Sequence, residues 1–76
     1  MRILIQPPHE TADVSVASDE VRRALDALRT ARINTDGGGT IESEGVVTGV
    51  VTIRSDEDAA KALEVLAQAG INASIG

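Results

Sequence analysis

Apolar residues recur at helical spacing in two stretches of this chain. Val21, Ala24, Leu25 and Leu28 form one stripe, and Ala59, Ala62, Leu63, Leu66 and Ala67 form the other. Intervals of three and four residues place each set on one side of a helix, turned to a core. Ser18 reads as the N-cap of the first helix, with Asp19 and Glu20 at the positive end of its dipole. Ser55 reads as the cap of the second, and Asp58 three residues later resembles a capping box. Gly70 suits a left-handed helix stop.

Between and around these helices the period changes to two. Arg2 to Gln6 predicts a short strand with Ile3 and Ile5 on one face, and Pro7-Pro8 ends it because proline cannot donate to a ladder. Val46 to Arg54 is the strongest strand pattern, rich in β-branched residues. It sets Val47, Gly49, Val51 and Ile53 on one face and Val46, Thr48, Val50 and Thr52 on the other. Ile71, Ala73 and Ile75 alternate with Asn72 and Ser74 as a last strand. A further strand is expected from about Ile33, interrupted by a turn, bulge or loop at Asp36-Gly37-Gly38-Gly39 and resumed over residues 40–44. Glu44-Gly45 gives a tight reversal. Residues 13–17 read either as a short extra strand or as a loop into the first helix.

The second half repeats the first. Glu20-Val21-Arg22-Arg23-Ala24-Leu25-Asp26-Ala27-Leu28 leads to Ile33-Asn34, and Asp58-Ala59-Ala60-Lys61-Ala62-Leu63-Glu64-Val65-Leu66 leads to Ile71-Asn72. The order is β-α-β-β-α-β, the ferredoxin-like arrangement. The expected class is α+β: a two-layer sandwich of an antiparallel sheet with two helices on one face, as a single domain over residues 1–76.

The chain has no aromatic residue and no cysteine. Its core must come from Ile, Leu, Val and Ala, without the large buried areas that aromatics supply. Disulfides, thiolate metal sites and a cysteine nucleophile are excluded. No apolar run approaches membrane-spanning length, and the first residues are too briefly apolar for a signal peptide, so the expected setting is soluble and cytoplasmic. A net charge of −5 argues against nucleic acid as a partner. The arginines of the first helix lie three or four residues from Asp19 and Asp26, the spacing of a solvated, salt-linked face.

No catalytic constellation emerges, and no cofactor or metal is implied. His9 beside Glu10 lacks the further ligands of a metal site and the partners of a general base. Gly37-Gly38-Gly39-Thr40 lacks the Lys-Ser/Thr ending and the following helix of a phosphate loop. Asp56-Glu57-Asp58 is accounted for by the helix dipole.

The run Gly45-Val46-Val47-Thr48-Gly49-Val50-Val51-Thr52-Ile53-Arg54, the Ala/Leu helix after it and the Gly70-Ile71-Asn72 strand entry together resemble the second half of an ACT domain. Ala24-Leu25 to Ile33-Asn34 looks like that family's first helix and second strand. The resemblance implies a non-catalytic regulatory module that binds a small ligand, often an amino acid, at a subunit interface. The family's ligand loop follows its first strand, which corresponds here to Gln6-Pro7-Pro8-His9-Glu10. The prolines match, Gln6 stands in place of an acid, and the family's glycine is missing. The candidate ligand residues are Pro8, His9, Glu10 and Asn34.

Leu4, Val46 and Val50 would be exposed in a two-layer monomer, and exposed apolar patches mark contact surfaces. The chain is therefore expected to form a homodimer through that face or through edge-strand pairing. The alternatives are a protein-interaction domain without a small ligand and an accessory subunit of an enzyme.

Overall fold

The computed structural model describes residues 1–6 and 13–76. Strand β1 spans Arg2–Gln6, helix α1 Val14–Thr30, strand β2 Thr35–Ser43, strand β3 Val46–Ile53, helix α2 Ala59–Gln68 and strand β4 Asn72–Ile75. A 3-10 turn at Asp56–Asp58 leads into α2. The four strands form one antiparallel sheet in the order β2-β3-β1-β4.

Strand alternation divides the sheet as the pattern implies. Ile3 and Ile5 of β1 join Val51 and Ile53 of β3 in one core with Val21, Ala24 and Leu28 of α1 and Ala62 and Leu66 of α2. Both helices therefore cover the same face. Ile3, Ile5, Leu28 and Leu66 are completely buried, and each large aliphatic side chain so placed contributes roughly 1.5–3 kcal/mol. No described polar side chain is buried.

Helix α1 starts a full turn earlier than Ser18. Asp13 is its N-cap and accepts from the Ser15 backbone N–H at 2.8 Å. Residues 14–17 are thus helix, neither strand nor loop. Ala17 is buried in step with Val21, Ala24 and Leu28, so the apolar stripe reaches back one turn and supports the extension. In the second helix, Ser55 caps the 3-10 turn by accepting from Glu57 N–H at 3.3 Å. Asp58 makes no side-chain cap bond, so the capping box does not form. Ala67 is exposed, contrary to its expected inward position.

The internal repeat is reproduced in the helix stops. Ile33 N–H bonds Leu28 C=O at 2.9 Å, and Ile71 N–H bonds Leu66 C=O at 2.9 Å. Both are the long closing bond of a Schellman stop. The residue before each is left-handed: Gly70 at φ +78°, and Arg32 at φ +63°. At Glu44 and Gly45 both φ values are positive, 53° and 79°. That combination matches the right-handed twist of the hairpin joining β2 and β3.

The glycine run does not interrupt β2. The strand continues through it, with the register slipping between Thr35 and Gly38 at a bulge where Gly37 has φ +108°. The reason is the closeness of α1. A Cβ at Gly38 would lie 3.0 Å from Val21 Cγ1 and 2.8 Å from the Val50 carbonyl oxygen. On β3, a Cβ at Gly49 would lie 2.5 Å from Val21 Cγ2. Helix α1 thus packs directly onto backbone at two neighbouring strands.

Gly49→Ala is expected to lower the unfolding free energy by about 1–3 kcal/mol through overpacking. At Gly39 a Cβ would meet nothing within 4 Å, so Gly39→Ala should stay within about 0.5 kcal/mol of the parent. Urea denaturation of the two variants checks both. Arg32→Gly should raise stability by about 1 kcal/mol in the same assay by removing left-handed strain from a side-chain-bearing residue.

Candidate functional site

Of the four candidate ligand residues, Pro8, His9 and Glu10 lie outside the described residues. Asn34 joins α1 to β2 and is exposed. Its backbone carbonyl accepts from Arg54 N–H at 3.1 Å, and its side chain makes no hydrogen bond among the described residues. Thr35 pairs with Ile53, and Arg2 with Thr52, so Asn34 sits at the end of the sheet where β1 begins. Gln6, after which residues 7–12 follow, pairs with Asn72 at the opposite end. At about 3.4 Å per residue, the two ends are roughly 20 Å apart. Asn34 and the end of β1 are therefore not neighbours within one copy.

The expected contact residues Leu4, Val46 and Val50 do share the helix-free face, since Leu4 pairs directly with Val50. They are less open than alternation alone implies. Leu4 and Val46 are half-buried, and Val50 is only 9% exposed. Neighbours on a pleated sheet cover one another, and the backbone at Gly76 leans on Leu4, where a Cβ would meet Leu4 Cγ at 2.6 Å. Ile41 of β2, opposite Thr48, is the most open apolar side chain here, at 46%. Between Arg2 and Arg54 at one end, this face carries Leu4, Ile41, Val46, Thr48, Val50 and Thr52, all uncharged. The charge lies elsewhere: Arg22 meets Asp19 at 3.4 Å, Arg23 meets Glu20 at 2.7 Å and Arg29 meets Asp26 at 3.9 Å along α1. The salt-linked face is present, with Glu20 rather than Asp19 as the partner of Arg23. Such exposed pairs contribute little to stability.

Among the described residues, two depressions flank α1. A shallow groove of about 450 Å³ runs between the helices, past Ala27, Ala31, Val65 and Ala69. A smaller cleft of about 250 Å³ lies between α1 and the edge strand β2, lined by Ser18, Val21, Arg22, Leu25, Gly38 and Gly39. The cleft exists because glycines occupy the strand beneath α1. The sequence reading missed it by expecting the glycines to interrupt the strand as a turn, bulge or loop, of which only the bulge occurs; their position between two β-forming stretches was the available signal. Asp36 and Arg54 close the bulge end of β2 with an ion pair at 2.9 Å. No group of three His, Asp or Glu residues able to hold a metal ion occurs among the described residues. None of the described helices is long and apolar enough to cross a membrane.

Because the Asn34 side chain has no hydrogen bond among the described residues, Asn34→Ala should leave the thermal unfolding free energy within about 0.5 kcal/mol of the parent. That makes it a clean probe of ligand binding. Compared with protein-family models, with curated proteins and with solved structures, the chain matches none.

Proposed function

We propose that this chain is a non-catalytic, ACT-like binding module of ferredoxin-like fold. It acts as a homodimer in the cytoplasm and takes a small, amino-acid-like ligand at the boundary between two copies. The element order β-α-β-β-α-β and the sheet order β2-β3-β1-β4 support the ferredoxin-like reading. The observation that carries the functional reading is the separation of Asn34 from the end of β1. A site using both Asn34 and the end of β1 at Gln6 calls for a second copy, because one copy holds these two residues at opposite ends of its sheet. An antiparallel two-fold arrangement sets the Asn34 end of one copy level with the Gln6 end of the other. The absence of cysteine supports a reducing compartment.

The uncharged helix-free face favours a second reading, a protein-interaction domain without a small ligand. Depletion of charge is the compositional mark of an interface core. Leu4, Val46 and Val50 would then meet another protein or a second copy.

A thermal-shift screen against amino acids and nucleotides, on protein whose mass is known from light scattering, separates the two. A ligand that binds only the folded state at a hundredfold excess over Kd stabilises it by about 2.7 kcal/mol. The expected result is a dimer stabilised by one metabolite class, with the stabilisation lost in Asn34→Ala. A shift that survives Asn34→Ala removes that residue from the site. No shift with any compound overturns the ligand reading in favour of the interaction domain.

A further inference from the structure

Strand β2 closes one side of the sheet over nine residues, whereas β4 on the other side has four. An open edge of that length is a template for another strand unless lysine, proline or a bulge blunts it. Residues 35–43 hold neither lysine nor proline, and the bulge lies before Gly38. The ladder from Gly38 to Ser43 is therefore free to pair. Its surroundings define what it would take. On the helix side is the cleft of about 250 Å³, with Val21 and Leu25 as walls and Gly38 and Gly39 as floor. On the helix-free face is the open Ile41. Around the edge, Arg22, Arg29 and Arg54 are matched by Asp19, Asp26 and Asp36. Glu42 and Glu44 are exposed and have no ion pair among the described residues. The uncompensated charge of β2 and of the turn after it is negative.

We propose that the β2 edge binds an extended, basic segment of another protein, added antiparallel as a further strand of the sheet. The proposal rests on the interaction-domain reading and places its contact on the strand edge. In strand addition, main-chain hydrogen bonds give affinity and pockets for alternate side chains give specificity. Val51 and Val47, the β3 partners of Gly38 and Glu42, are buried in the core layer. Gly38, Thr40 and Glu42 thus mark the helix side of the edge, and directly opposed residues share a face. A segment residue opposite Gly38 points to the cleft, where an aliphatic side chain meets Val21 and Leu25. A lysine or arginine opposite Glu42 meets its carboxylate. Apolar residues opposite Ile41 and Gly39 cover Ile41 beside Val50, the β3 neighbour of Gly39. Read from its N-terminus, the segment is basic, apolar, neutral, apolar, aliphatic.

A second copy does not fit this description. Its two edge strands, β2 and β4, carry no lysine or arginine. Its β2 would bring a second Glu42 to an edge that is already acidic, and like charges across a ladder are destabilising.

The probe is a displayed library of random peptides about nine residues long, the length of β2, selected on the intact chain. Enriched sequences should share Lys or Arg four places before Leu, Ile or Val. A synthetic peptide of that consensus should protect outward-facing amides of residues 38–43 from hydrogen exchange and leave β4 unchanged. Glu42→Lys is an exposed change that leaves the fold intact. It should weaken the peptide by roughly tenfold, and glutamate in place of the peptide's basic residue should restore binding. Peptides that lack the base, or whose binding Glu42→Lys does not alter, overturn the proposal. Peptides that protect β1 and β3 around Leu4 and Val46, with β2 unchanged, overturn the edge site and keep the interaction domain. Protection of β2 that grows with protein concentration alone assigns the edge to a second copy and also overturns it. No bound peptide overturns it too, and a metabolite shift alongside removes the interaction-domain reading with it.

Discussion

The close seating of α1 on the sheet is the constraint on which the rest of this structure depends. At Gly38 and Gly49 the helix meets strand backbone, with Val21 filling the space that two side chains would otherwise occupy. A core without aromatic residues has few large groups to span a wide gap between layers. Bringing the layers together lets Ile, Leu, Val and Ala pack at high density. Without those two glycines α1 would ride higher, and Val21, Ala24 and Leu28 would lose contact with Ile5 and Val51.

That seating has consequences at the margin of the sheet. Gly38 must lack a side chain to lie under α1, but its neighbours Gly37 and Gly39 lie beyond the helix contact. Together they leave β2 with a low, open edge and a cleft beside it. The same strand then carries larger residues, Thr40, Ile41 and Glu42, in its second half. Charge is placed unevenly: α1 holds its ions in local pairs, whereas the helix-free face is uncharged through its middle.

Much of the fold was legible in the chain. The helix stripes, the alternation of Val46–Ile53, the Glu44-Gly45 reversal and the internal repeat each rest on local periodicity or on turn chemistry, which short windows carry. The failures arose where tertiary packing decided. Ser18 looks like a cap, but burial of Ala17 extends α1 to Val14. Three glycines look like a break in the strand, but only a bulge at its start results, and Gly38 lies in the ladder against Val21. Ala67 fits the second stripe by spacing and falls just outside it. For the site, the sequence named Asn34 with Pro8, His9 and Glu10, which lie outside the described residues; the strand register shows that Asn34 and Gln6, the last residue of β1, lie at opposite ends of the sheet.

Amide hydrogen exchange compared residue by residue between the parent and Gly49→Ala tests the central claim most directly, that the seating of α1 on strand backbone holds this fold together. Amides of α1, β2 and β3 should lose protection together in the variant. Loss confined to the residues beside position 49, or no loss at all, would contradict the claim.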